Sequence, residues 1–430
     1  MTAVVALFMG AALVMASIRA DRPEKDPLRE TPVIAATATA CATIQPSTPV
    51  PATPSLPAYP PEATATVEQP TPTAVQARST LYLPSIIREG GVSVKALTTA
   101  QPTVKPTRKP TRTPKPTSTP LVPWPEPLQQ PSHSKVGIHV QWNNSPDIME
   151  FIRRMRPAVV KAMDDLGYLE EVKAASPSTV TVARLSQDFR LEGDPVQAAR
   201  AFVAQNLAEY KRHPGVDYWE GINEPVMKER MGWFAAFEAE RVRVMAENGL
   251  RTAVGAFSAG VPEWEEFAQF LPAIEAAKKH GGILTLHEYD APLMDRSVGM
   301  ALPGRPSYPN RGVLALRYRW WYEDFLKPRG LVIPLVISEA GIDGAIGNRP
   351  GPKADGWLHF PKYWAQSGLG DDPVRLYIQQ LTWYDNQLRQ DDYVIGFAVF
   401  TAGPMNDDWK SYDITPILRH IANFIIVPSK

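Results

Sequence analysis

The spacing of apolar positions changes character near residue 135. Beyond it, short β-branched runs alternate with stretches whose apolar residues recur every three or four positions. The runs are "KVGIHVQW", "AVVKAMD", "TVTVARL", "VDYWEGINE", "RTAVGAFS", "GILTLHEYD", "LVISEAG" and "VIGFAVFT". Each is short and apolar enough for a strand buried on both faces. Between them lie "SPDIMEFIRRMRP", "DPVQAARAFVAQNLAEYKRHP", "VPEWEEFAQFLPAIEAAKKHGG" and "DDPVRLYIQQLTWYDNQLRQDD", which read as amphipathic helices. Several open on Ser or Asp followed by Pro, a side-chain cap with a first-turn proline. Others end at Gly or at His-Pro. Pro334 requires the seventh strand to begin near Leu335. Eight strand–helix units, the last helix being "DITPILRHIANFI", predict an α/β fold, a (β/α)₈ TIM barrel. An open doubly wound sheet is the alternative. It carries a Gly-rich phosphate turn after its first strand, and "GIHVQWNNSPD" has none.

Composition separates this region, 135–430, from what precedes it. More than half of the 44 prolines lie before Ser132. Residues 21–134, rich in Pro, Thr and Ala, cannot bury enough apolar surface to offset ordering entropy, so they read as a disordered, extended tether. Within them "STLYLPSIIREGG" is a weak strand candidate. Lys105, Arg108, Lys109, Arg112 and Lys115 read either as a charged solvated linker or as a patch for an anionic cell surface. The apolar run Ala3 to Ile18 is about 16 residues and about 24 Å as a helix, short of a bilayer core of about 30 Å. Residues 1–20 therefore read as a signal peptide or a short membrane anchor. No basic residue precedes the run, and Arg19, Arg22, Lys25 and Arg29 follow it, against the usual charge bias. The tether nonetheless favours export, to the extracellular space or the cell envelope.

Forty-five basic and 45 acidic side chains balance, which argues against nucleic acid as a partner. Cys41 is the single cysteine, so there is neither a disulfide framework nor a cysteine metal site. The seven histidines show no His-x-x-x-His spacing; no metal and no cofactor is expected.

Chemistry in such a barrel gathers at the C-terminal ends of the strands. Read in order, those ends offer His139 and Trp142, then Lys161 and Asp164, Arg184, Asn223 with Glu224, His287 with Tyr289, Glu339, and Phe400 with Thr401. Glu224 and Glu339, on strands four and seven, face each other across the mouth. Two carboxyl groups flanking a glycosidic bond can divide the work between proton donor and nucleophile. At about 5 Å and an effective dielectric of about 20 they repel by roughly 3 kcal/mol, about two pK units, so one should keep its proton near neutrality. Arg184 or Tyr289 bonded to Glu339 would keep that group ionised. Glu220, in the same run as Glu224, reads as a buried strut.

"WEGINEP" and "LVISEAG" resemble the fourth- and seventh-strand signatures of glycoside hydrolase clan A, the retaining (β/α)₈ enzymes that include family 5. The resemblance implies that Glu224 is the acid/base and Glu339 the nucleophile, that Asn223 bonds the sugar 2-hydroxyl, and that Tyr289 of "LHEYD" bonds the nucleophile. It implies a polysaccharide or oligosaccharide substrate. The clan usually ends strand eight with a Trp; here Phe400, or Trp409 from the loop, stands in its place, and "HVQW" has no evident counterpart. His139, Trp142, Arg184 and His287 complete the candidate substrate-binding rim. The alternative function is a barrel without turnover that binds glycan at the cell surface. A third reading is an enzyme working on the cell's own wall. Trp357, Phe360, Tyr363 and Trp364, in the long loop after strand seven, read equally as sugar-stacking groups or as pins for the loop. "RYRWWYEDF" reads as outer-ring packing.

Overall fold

The computed structural model describes residues 122–225, 229–346, 349–353 and 356–427. The apolar start, the tether through residue 121, its basic patch and Cys41 lie outside the described residues. Eight parallel strands form one sheet in the order β4-β3-β2-β1-β8-β7-β6-β5. They are β1 (Val136–Val140), β2 (Val159–Met163), β3 (Val180–Arg184), β4 (Tyr218–Trp219), β5 (Ala253–Phe257), β6 (Ile283–Asp290), β7 (Leu335–Ile342) and β8 (Val394–Ala402). A Trp219–Thr252 bridge joins the two ends of that order. The expected TIM barrel is present, and β7 starts just after Pro334, as the proline requires.

A helical segment follows each strand: α1 (Pro146–Met155), α2 (Leu169–Ala175), α3 (Pro195–Arg212), α4 (Met231–Glu247), α5 (Trp264–Lys279), α6 (Tyr318–Trp321), α7 (Pro373–Leu388) and α8 (Leu418–Ile421). The predicted caps close their first turns: Ser145 Oγ accepts from Asp147 N, Asp194 Oδ1 from Gln197 N and Asp372 Oδ1 from Arg375 N. α6 widens into a π turn over Tyr322–Leu326, and its aromatics are buried, the packing role read from "RYRWWYEDF". Among the described residues no helix is long and apolar enough to cross a membrane.

Residues 122–134, which composition assigns to the tether, lie against the barrel instead. Leu128 N donates to Arg154 O at 2.8 Å, Asn423 Nδ2 donates to Pro123 O at 2.9 Å, and the Arg419 guanidinium covers the Trp124 ring at 5.1 Å. Trp124 and Leu128 are the apolar residues that hold this stretch to the core.

Strand β4 is much shorter than its apolar run. Beyond Trp219, Glu220 N still donates to Ala183 O at 2.9 Å, and a buried ion pair lies in the β4–β5 seam. Arg241 of α4 forks onto both oxygens of Glu238 at 2.8 and 2.7 Å. It also donates to Trp219 O at 3.1 Å and Ala253 O at 2.7 Å, one carbonyl from each side of the seam. Gly221 passes so close that a Cβ there would sit 2.8 Å from Glu238 Oε1 and 2.9 Å from Arg241 Nε. Only a glycine fits beside the pair. Arg241→Met should therefore leave a buried carboxylate and two carbonyls without donors, lowering unfolding free energy by about 3–5 kcal/mol. Urea denaturation of the variant checks this, with unchanged stability as the contrary result.

Inside the barrel, Val159, Val182, Ala253, Ile283, Val336 and Ala398 form an apolar plug. Side chains two apart on a strand share a face. Lys161, Arg184, Thr285 and Phe400 therefore stand one step above the plug, and His287 and Tyr289 one and two steps above Thr285.

Candidate active site

The mouth is built from strand ends around the barrel. Glu339, on β7, is paired in register with His287 of β6, and His139 of β1 with Lys161 of β2. Glu224 follows β4 with a left-handed backbone, φ +42°, an unfavourable region for a side chain with a Cβ. Its N–H bonded to Ala256 O at 2.9 Å holds it there. The side chain thus turns inward, and Glu224 Oε1 lies 2.8 Å from His287 Nδ1. The same Nδ1 is 3.5 Å from Glu339 Oε2, and Tyr289 donates its hydroxyl to that oxygen at 2.9 Å. One donor atom from each of Glu224, His287 and Glu339 lies within 4.8 Å of the others.

These three atoms could also surround a metal ion, a grouping that sequence spacing could not display. Hydrogen bonds already engage the facing atoms: His287 Nδ1 with Glu224, and the Tyr289 hydroxyl with Glu339. The arrangement reads as a carboxyl pair bridged by an imidazole.

The bridge alters the expected electrostatics. Two bare carboxylates would force one to keep a proton, but here the imidazole lies between them. For Glu224, burial alone would raise the pKa. The His287 hydrogen bond and the charges of His287, Arg184 and Lys161 outweigh it and hold the group below its ordinary range. For His287, burial alone would lower the pKa; Glu339, Glu224 and Glu220 outweigh it and hold the ring above its ordinary range. An ionised carboxylate only accepts, so Nδ1 carries the proton on the His287–Glu224 bond. Tyr289 is pushed well above the usual tyrosine range by burial and then by Glu339 and Glu224, which keeps its hydroxyl a donor.

His139, fully buried, bonds Thr401 Oγ1 through Nδ1 at 2.8 Å and places Nε2 3.8 Å from Glu339 Oε1. Burial, then Lys161, Arg184 and His287, hold its pKa well below normal, so this ring is neutral. Arg184 does not bond Glu339; it lies 3.0 Å from Met163 Sδ and 4.0 Å from Glu220 Oε2. This is the inter-strand reading, not the nucleophile-partner reading. Glu220 pairs with Lys161, both side chains fully buried. Asn223 Oδ1 is buried without a hydrogen-bond partner.

Phe400 is 5% exposed and packs on His139 at 4.7 Å, Tyr412 at 5.3 Å, Trp409 at 5.4 Å and Tyr289 at 6.1 Å between ring centroids. It acts as a wall behind the carboxyl groups, and half-buried Trp409 offers the more open face. Trp142 stands on the rim just past β1, 53% exposed, and makes no bond to the carboxyl pair. Trp357, Phe360 and Trp364 are buried, and Trp364 Nε1 donates to Pro292 O at 2.9 Å. They pin the loop and do not face the mouth; Tyr363 is half-buried beside them.

Sequence reading overlooked Asp343 and Tyr412. Tyr412 donates to Asp343 Oδ1 at 2.9 Å, tying the loop after β7 to the loop after β8. Burial raises Asp343 to about 6. The signal lay in "GIDG", one turn beyond Glu339. Burial likewise raises Glu288 to about 7 and Asp290 to about 6, yet both alternate outward from His287 and Tyr289. Glu288 accepts from Leu316 N, Tyr318 N and Tyr384 Oη at 2.7, 2.9 and 2.6 Å, and Asp290 from Ala291 N and Ser297 N at 2.8 and 2.9 Å. They anchor the β6–α6 connection and are not part of the mouth.

No family model and no curated protein matches the chain. Among solved structures it is similar to a family 39 glycoside hydrolase from the gut symbiont Bacteroides cellulosilyticus WH2, at 11% identity and a TM-score of 0.43. That likeness covers 69% of this chain and 64% of the other, less than two thirds of its length. It is also similar to a GH128 (subgroup II) endo-β-1,3-glucanase from Pseudomonas viridiflava, at 16% identity and a TM-score of 0.34, over 66% of this chain and 92% of that one. A third is the hyperthermostable endo-1,4-β-D-mannanase from Thermotoga petrophila RKU-1, at 13% identity and a TM-score of 0.35, over 67% and 99%. Likenesses this distant do not bear on the chemistry, which the site's own geometry has to carry.

Proposed function

We propose that this chain is a retaining glycoside hydrolase that cleaves O-glycosidic bonds of a polysaccharide or oligosaccharide by double displacement. The observation that carries the reading is the approach of a Glu224 oxygen to a Glu339 oxygen within 4.8 Å across one barrel mouth. Retaining glycosidases need about 5–5.5 Å between their carboxyl groups, and inverting ones about 6.5–9.5 Å to admit a water.

Roles follow from surroundings. Glu339, 6% exposed and held by Tyr289, is the nucleophile that attacks the anomeric carbon. Glu224, with 27% of its side chain exposed, reaches the solvent side where a leaving group departs and a water arrives. The proton it must give lies on the His287–Glu224 hydrogen bond. In the first step that proton goes to the glycosidic oxygen as the C–O bond breaks and the Glu339 ester forms. In the second, Glu224 takes a proton from water, whose oxygen attacks the same carbon and releases Glu339. Asn223, whose Oδ1 is unpaired, is placed to bond the sugar beside the acid/base. The barrel would act outside the cell or on its envelope.

The test is turnover of a panel of aryl glycosides and polysaccharides by residues 122–430 attached to their tether, with product anomers followed by NMR. Retention is expected; first-formed product of inverted configuration overturns the mechanism. Tyr289→Phe removes one hydrogen bond to a charged group, worth about 1.5–3 kcal/mol. Its kcat should fall about tenfold to a hundredfold, with KM little changed. An unchanged kcat would count against Glu339 as the group that reacts.

A further inference from the structure

We infer that Lys161 and Glu220 are positioning residues: their buried ion pair sets how many protons the three groups above it, Glu224, His287 and Glu339, hold together. Lys161 on β2 and Glu220 just past β4 are each 1% exposed or less, and Lys161 Nζ donates to Glu220 Oε2. Arg184 on β3 stands 4.0 Å from the same oxygen. Both side chains of the pair are closed to solvent, so it acts through its field.

Facing His287 in the barrel are Glu220 and Glu224 from the β4 segment, Glu339 from β7, Lys161 from β2, Arg184 from β3 and neutral His139 from β1. Tyr289 on its own strand stays protonated, and Asp343, just past the end of β7, accepts from Tyr412. Three carboxyl groups face two fixed cations, and an isolated net charge in a low-dielectric interior is costly. One further proton makes the cluster neutral, and the 2.8 Å His287–Glu224 bond is where it sits. Two unpaired buried atoms agree with a field rather than a direct bond as the link: His287 Nε2 and Glu220 Oε1 both lack hydrogen-bond partners. Glu220 is itself held at about 2, where burial, which would raise it, is outweighed by Lys161, His287 and Arg184. It therefore enters the count as an anion.

The partners of this single ion pair should act with opposite signs. Lys161→Met removes a cation, so His287 should hold its proton more tightly and titrate about one pH unit higher. Glu220→Gln removes an anion, and the titration should fall by about one unit. The double variant should return close to wild type. A pair that served only stability would give no such reversal of sign. The measurement is imidazole ¹⁵N NMR of His287 against pH in the full chain without substrate. Shifts of the same sign, or none, overturn the inference. Should Lys161→Met not fold, Glu220→Gln alone decides, since an upward or absent shift there is equally fatal. The consequence for rate rests on the glycosidase reading, under which the alkaline limb of kcat/KM moves with His287. Opposite NMR shifts with an unmoved alkaline limb would uphold the ion pair's role and overturn Glu224 as the acid/base.

Discussion

Glu339→Ala is expected to leave no measurable turnover on any aryl glycoside that the native protein cleaves. The loss should be on the order of 10⁴-fold or more, the scale on which removal of a reacting nucleophile registers. The reason is positional. Glu339 is the carboxyl group held from two sides, by the Tyr289 hydroxyl at 2.9 Å and by His287 Nδ1 at 3.5 Å. Its neighbours His139 and Phe400 close the space around it. The other carboxyl groups nearby are engaged elsewhere: Asp343 accepts from Tyr412, Glu288 and Asp290 alternate outward, and Glu220 is bound to Lys161. The variant should still fold, because alanine keeps the backbone through which position 339 pairs with His287. Small nucleophiles such as azide or formate should restore part of the turnover by entering the vacated space, with a product of inverted anomeric configuration. Full activity in Glu339→Ala, measured on the same panel as the native chain, would end the proposal.

Much of this arrangement was legible in the order of residues. The eight apolar runs are the eight strands, because a buried parallel strand leaves a continuous apolar signature that helices do not share. Strand order alone places Glu224 and Glu339 on facing walls, and the Ser-Pro and Asp-Pro pairs mark helix starts where they occur. Other features came from contacts between distant segments, which a linear pattern cannot carry. The run around Tyr218 looks like a full strand, yet β4 is short and the Arg241–Glu238 pair lies in its seam with β5. Packing of Trp124 and Leu128 on the barrel overrides a tether-like composition. Lys161 appeared only as one strand end among several, and its pairing with Glu220 spans two strands. The imidazole between the carboxyl groups was the main departure. His287 could be placed on the rim, but the left-handed turn at Glu224 is what brings the two side chains together. That turn also changed the expected protonation from a lone proton on one carboxyl to a proton on a hydrogen bond.

Glu224→Ala should behave differently from Glu339→Ala, and the difference separates the two roles. An acid/base group contributes about 10²–10⁴-fold, most of it where the leaving group needs a proton. With a natural glycosidic bond or a poor aryl leaving group, Glu224→Ala should lose activity across that whole range. With an activated leaving group such as dinitrophenolate, the first step needs no proton and should survive. The glycosyl ester on Glu339 then forms but hydrolyses slowly, because no base remains to activate water. A rapid burst of phenolate followed by a slow steady state is the expected trace, and KM should fall as the ester accumulates. Azide, which attacks without a base, should raise the steady-state rate and yield a glycosyl azide of retained configuration. The pH dependence changes as well. Under the proposed mechanism the native alkaline limb should report the proton shared by Glu224 and His287, a property of the pair and not of either group. His287 is held above its ordinary range by the carboxylates around it, so the proton is present at low pH and is lost as pH rises through the raised value. Without Glu224 that limb should disappear from the slow step with activated substrates. Absence of azide acceleration together with a native-like alkaline limb would show that Glu224 is not the residue that handles the proton.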